Sequence, residues 1–171
     1  MHTDARDRIA AAQLDLVRAL VINHLAPADF DSSRIRAAAD ALLLKRARSV
    51  ARHWPATARS LGCKFEKRFA LYARSTPGAR GGACADGRGF VSALAREGPL
   101  TDEVAVETLT FDLRYRIDAH GVITQRHFSL AAVLLKESLR FIAGIRIPVF
   151  GEQRISVPLK FLLKHSAPQS V

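Results

Sequence analysis

The sequence predicts an α+β fold, an N-terminal helical bundle with a small C-terminal antiparallel β-sheet. Three observations carry this prediction. Up to about residue 117, apolar residues recur mostly at helical spacing, with breaks at Pro27, Pro55, Gly62 and Gly98-Pro99. Towards the C-terminus the period shortens to two. Leu139, Phe141, Ala143, Ile145 and Ile147 alternate with Arg140, Ile142, Gly144 and Arg146, and Ile155, Val157 and Leu159 alternate with Arg154, Ser156 and Lys160. Finally, 171 residues, 49% of them apolar, suffice for one core shared by two lobes. The expected layout is a helical lobe over 1–117, a sheet lobe over 118–165 and a tail over 166–171, forming a single compact unit.

The helices follow in order. Asp4–His24 places Ile9, Leu14, Val17, Leu20 and Val21 near one face, and Ala26-Pro27-Ala28 breaks it. Asp31 or Ser32 caps a second helix that runs to about His53, with Ile35, Ala39, Leu42, Leu43, Val50 and Trp54 as its buried side. Pro55 suits the first turn of a short third helix and Gly62 its C-terminal stop. Lys64–Ser75 is a fourth helix carrying Phe65, Phe69 and Tyr72. Thr76–Ala85 reads as a flexible loop, and Asp86 starts a fifth helix with Phe90, Val91 and Leu94. Thr101 caps a sixth, with Asp102 and Glu103 favourable in its first turn.

From Leu109 two periods compete. Val106, Leu109, Leu113 and Ile117 fit a helix face, while Phe111, Leu113, Tyr115 and Ile117 fit a strand. The expected helix continues to about Tyr115, and Asp118-Ala119-His120-Gly121 is either its C-terminus or a hairpin turn. Phe128–Leu135 forms a first strand, Lys136-Glu137 a tight connection, and the strand from Ser138 ends at Pro148, which has no N–H for a ladder. Phe150-Gly151-Glu152-Gln153 makes the next turn. Pro158 in the return strand argues that this strand is an edge. The helices are expected to cover the apolar face of the hairpin, since a hairpin alone is marginal in water.

Charge and chemistry narrow the function. The formal net charge is +10, which suits an acidic partner, be it nucleic acid, an acidic protein surface or an acidic peptide. The first residues carry Asp4, Asp7 and Asp15 where a signal peptide needs an apolar run, and no stretch is long and apolar enough to span a bilayer, so the expected location is cytoplasmic without membrane contact. Cys63 and Cys84 then read as two free thiols. His2, His24, His53, His120, His127 and His165 are scattered, with no H-x-x-x-H and no Cys/His zinc spacing. Gly78, Gly81 and Gly82 lack the Gly-Lys-Ser/Thr that a P-loop requires. No catalytic residue, metal site or cofactor is expected. Lys45, Arg48 and Arg52 share one helix face. They read as the solvated side of an amphipathic helix, or as a basic docking face for an acidic protein or a phosphate backbone.

One series of motifs goes further. LLLKRARSVARHWPATARSLGCKFEKRFALYARSTP, then DGRGFVSAL, then DEVAVETLTFDLR, places Lys45, Arg46, Trp54-Pro55, Leu61-Gly62, Phe65, Phe69, Tyr72-Ala73, Pro77, Asp86-Gly87, Phe90 and Leu94 in order. This series resembles the helical domain, once labelled DNA-binding, of the partner proteins of multinuclear non-heme iron oxidative enzymes. Those enzymes modify cysteines in ribosomally made peptides, as in methanobactin biosynthesis. The resemblance covers about 35–113 and, more loosely, the strands to Leu159. It implies a helical lobe with a small C-terminal sheet, no catalytic centre in the chain itself, an iron-dependent enzyme as heteromeric partner, and a precursor peptide whose leader adds as a β-strand.

A sheet edge with unpaired N–H and C=O groups binds extended peptides by such addition. Arg140, Ile142, Gly144, Arg146, Arg154, Ser156 and Lys160 are accordingly the expected peptide-binding residues, with charge that protects a free edge and attracts an acidic leader. The alternative function, from another class, is a nucleic-acid-binding transcriptional regulator.

Overall fold

The computed structural model describes residues 2–22 and 30–160. The expected break at Ala26-Pro27-Ala28 and the tail at 166–171 lie outside the described residues. Six α-helices precede five strands: α1 (His2–Ile22), α2 (Ser32–His53), α3 (Pro55–Leu61), α4 (Phe65–Ser75), α5 (Gly82–Glu97), α6 (Asp102–Arg114), β1 (Tyr115–Ile117), β2 (Ile123–Gln125), β3 (Ser129–Leu135), β4 (Arg140–Ile147) and β5 (Gly151–Pro158). The fold class is α+β, with the helices N-terminal.

The helical core is aromatic. Trp54, Phe65, Phe69, Phe90, Val50, Val91 and Val104 are buried together. Phe69 and Phe90 meet edge to face with ring centroids 5.3 Å apart, and Phe65 meets Phe90 the same way at 5.8 Å, the geometry that aromatic quadrupoles favour. Asp31 caps α2 by accepting from the Ser33 and Arg34 amides at 2.8 and 3.3 Å. Gly62 ends α3 with φ +52°, a left-handed conformation that glycine adopts without penalty.

Several boundaries differ from expectation, each for a physical reason. α5 begins at Gly82 rather than Asp86, and the Trp54 indole N–H donates to the carbonyl of Cys84 at 3.1 Å, inside the stretch expected to be loop. The remaining loop is tied down, because the Gly81 amide donates to Gly121 O at 2.6 Å. α6 ends at Arg114, so strand begins at Tyr115, ahead of position 118. Asp118-Ala119-His120-Gly121 is a hairpin turn, with Asp118 Oδ1 accepting from the His120 and Val122 amides and Gly121 at φ +75°. The β4–β5 turn falls on 148–150, leaving Gly151, Glu152 and Gln153 in the strand. In α1, Ile9, Leu14, Val17 and Val21 are exposed and Ala19 is buried, so the expected stripe is not the packed face; in α2, Leu42 is exposed.

The larger sheet has the order β3-β4-β5, all antiparallel. Its alternation is as expected, but its orientation is inverted. The face turned to α6 carries the rows Ala131–Gly144–Arg154 and Val133–Ile142–Ser156, not the apolar set that includes Phe141 and Ile145. The cause is close approach. Leu113 of α6 fills the space over Gly144, where any Cβ would overlap the leucine δ-carbon, and the hydroxyl of buried Ser129 donates to Leu113 O at 2.6 Å. Small residues on that face let the helix seat. The outward face therefore shows Leu130–Ile145, Ala132–Ala143–Ile155 and Leu134–Phe141–Val157, with Leu130 70% and Ile155 68% exposed.

Candidate functional site

Among the described residues β5 is an edge strand, hydrogen-bonded to β4 on one side. The Leu159 amide donates to Leu139 O at 2.8 Å. With the uniform register from Leu159 back to Gly151, this places the odd-numbered residues of β5 on the β4 side of the ladder. The backbone N–H groups of Glu152, Arg154 and Ser156 therefore point away from the sheet. Pro158 occupies the next outward position, where its missing N–H costs no ladder bond. That strand assignment is as the proline suggested.

Beneath β4 and β5 lies a groove of about 970 Å³, bounded by α6 and the Trp54–Arg59 segment. Its lining includes Trp54, Val106, Phe111, Leu135 and Ile142. The Trp54 and Phe111 ring centroids are 5.1 Å apart. The strands are fastened to α6 at both ends of the groove. At one end Arg114 Nε donates to Glu152 at 2.8 Å, and Arg154 donates to Thr110 Oγ1 at 2.7 Å as well as to Glu152. At the other, Asp102 accepts from the Glu137 and Ser138 amides at 3.1 and 2.8 Å. The hydrogen bonds from Ser138 hold the Asp102 carboxyl below the ordinary carboxylate range.

The other charged groups around the groove are also engaged. Glu107 accepts from the Ala56 and Thr57 amides at 2.8 and 2.9 Å and from the Thr57 hydroxyl, so it caps α3, whose own N-cap position is occupied by Trp54. Arg59 lies 3.9 Å from Glu103, and Arg140 Nε donates to Ser156 Oγ at 3.0 Å. The free surface left in the groove is mostly apolar.

The expected peptide-binding residues divide. Arg140, Ile142, Gly144 and Arg146 belong to the central strand β4, which is paired on both sides and so is not an edge. Arg140 and Ile142 line the groove, Gly144 is covered by Leu113, and Arg146 donates to Arg126 O at 3.1 Å. Arg154 and Ser156 are on the edge itself, and Lys160 is exposed just beyond it. Of the basic face, Lys45, Arg48 and Arg52 are all exposed; Arg48 lies 3.7 Å from Glu66, and Lys45 borders a cleft with Leu20, Val21 and Leu42. Sequence reasoning missed Trp54, Val106, Glu107 and Phe111 as groove residues. One signal was available: Trp before Pro55 is a poor N-cap, so a carboxylate from elsewhere in the chain had to supply the acceptor.

Among the described residues no three His, Cys, Asp or Glu side chains are grouped to hold a metal ion. Cys84 is half-buried, and burial pushes its thiol up from the ordinary value, away from the thiolate that nucleophilic chemistry needs. No helix of the described residues is long and apolar enough to cross a membrane.

The sequence family described as "SCO6045-like, C-terminal domain" matches residues 10–96, just over half of the chain. The chain belongs to this family. The SCO6045-like match runs from within α1 to the last turn of α5 and ends before α6, so the β5 edge and most of the groove lie outside it. Neither curated proteins nor solved structures include a match to the chain.

Proposed function

We propose that the chain is a non-catalytic partner subunit. It binds a multinuclear iron-dependent oxidative enzyme and the leader region of that enzyme's ribosomally made precursor peptide, and presents the peptide's cysteines for modification. The observation that carries this reading is the open edge of β5, with three backbone donors directed away from the sheet and a groove alongside. An extended peptide pairing there gains ladder hydrogen bonds for affinity and alternate side-chain contacts for specificity. The motif series from Lys45 to Leu94 supports the same reading through its resemblance to such partner proteins. The apolar face of the sheet that no described residue covers fits a chain that works in contact with another protein, since contiguous exposed apolar patches mark interaction surfaces.

The test is titration of a candidate leader peptide, followed by amide exchange. Binding should bring new protection to β5. Ser156→Pro removes one outward donor without touching the β4–β5 ladder, so a variant with an unchanged urea midpoint should bind about tenfold more weakly. Protection confined to the helices would rule out strand addition.

A further inference from the structure

We propose that the groove beneath β5 receives two apolar side chains, at positions i and i+2, of the added peptide strand, and that it selects the peptide this chain accepts. The proposal rests on the strand-addition reading above. Side chains directly across a ladder share one face of the sheet. Peptide residues opposite Arg154 and Ser156 therefore point the same way as those two side chains, to the α6 side, where the groove opens. Same-face neighbours along a strand are about 6.6 Å apart, twice the rise per residue. A volume of about 970 Å³ is near the top of the range of about 300–1,000 Å³ seen for small-molecule sites, more than one side chain requires.

The chemistry of the occupant follows from what is already satisfied. Each charged group on the rim has a partner within the chain: Arg59 with Glu103, Asp102 with the β3–β4 turn, Glu107 with α3, Arg114 with Glu152 and Arg140 with Ser156. A charged peptide residue entering the groove would lose hydration, and the rim charges it would meet are already engaged, Asp102 and Glu107 by backbone amides and Arg140 by a hydroxyl. The half-buried Val106, Phe111 and Ile142 surfaces offer burial to Leu, Ile or Phe instead, with the buried Trp54 ring against Phe111.

Trp54 is the single tryptophan of the chain, so its emission reports on the groove directly. The probes are short strand peptides that alternate Thr with a test residue, either Leu or Ser, between acidic end residues, titrated into the full chain. The Leu peptide should shift Trp54 emission and bind about tenfold more tightly for each Leu that replaces Ser. Val106→Phe, which fills part of the groove, should narrow that preference; Ile142→Phe serves the same purpose if the first variant unfolds. Equal binding of the Leu and Ser peptides, or no emission change with either, overturns the proposal. A chain dimer that persists in the presence of peptide and holds the β5 edge would make a second copy the occupant, and overturns it too. A leader peptide that protects β5 while leaving Trp54 unmoved sinks the pocket but leaves strand addition standing. Absence of β5 protection with the leader itself sinks the parent reading.

Discussion

Arg46 and Asp86 form the most consequential side-chain pair in the helical lobe. Asp86 is 3% exposed and Arg46 18%, and the two meet through a fork of contacts at 2.5 and 2.7 Å. A further guanidinium nitrogen donates to the carbonyls of Ala73 and Thr76, and the group lies 5.6 Å over the Phe69 ring. The arginine thus ties α2, the end of α4 and α5 together. Removing one partner strands a buried charge, so Arg46→Ala or Asp86→Ala should lower the unfolding free energy by about 3–5 kcal/mol in urea denaturation. The joint replacement Arg46→Met with Asp86→Leu should cost less than the sum of the single changes, because no orphan charge remains. Both residues stood out in the sequence as members of a motif, but nothing in their spacing revealed that they touch. The glycines beside Asp86 gain a reason in the same way. A side chain on Gly87 would overlap the Trp54 indole, and one on Gly89 the Tyr72 hydroxyl.

Between elements, the fastening of β5 to α6 is the point most sensitive to acid. Burial raises the Glu152 carboxyl, but the hydrogen bonds from Arg114 and Arg154 outweigh it and hold the group below its ordinary value of 4.5. A lowered folded value means that the contact stabilises the strand fully above 4.5 and that this contribution fades as pH falls through the lowered value. Amide protection of β5, corrected for intrinsic exchange, should be level well above pH 4.5 and drop below it ahead of β4. In Glu152→Gln the drop should be flattened, with weaker protection at neutral pH. At this scale the sequence was half legible. Alternation marked β4 over 140–147 and most of β5, and Pro158 marked the edge. The expected run to Lys160 overshoots, since β5 ends at Pro158 and 159–160 are helical. Which face turned inward was not readable, because apolar content pointed one way and the fit of Leu113 over Gly144 decided the other.

Taken whole, the molecule carries a net charge of +10. Of the stripe Lys45, Arg48 and Arg52, the central arginine already sits near Glu66. Duplex DNA should bind more weakly than about 1 μM at physiological salt, with no sequence preference and a slope of about 0.9 log units per phosphate contact. Filter binding across salt concentrations measures this, and a sequence-specific nanomolar complex would favour a regulator instead. The two-lobe plan, the aromatic core and the helix order were legible because local periodicity encodes them. The groove was not, since α3, α6 and the sheet contribute to it from distant parts of the chain. α6 has a further consequence, for descent rather than for binding. Its Val104 completes the helical core, its Glu107 caps α3 and its Leu113 seats the sheet, yet it lies beyond the stretch that marks the family. A recombination between relatives that keeps both lobes intact must cross between Arg114 and Tyr115, not at the end of the family match. Any sheet acquired that way must bring a glycine to stand where Gly144 stands now, or make Leu113 shift its side chain.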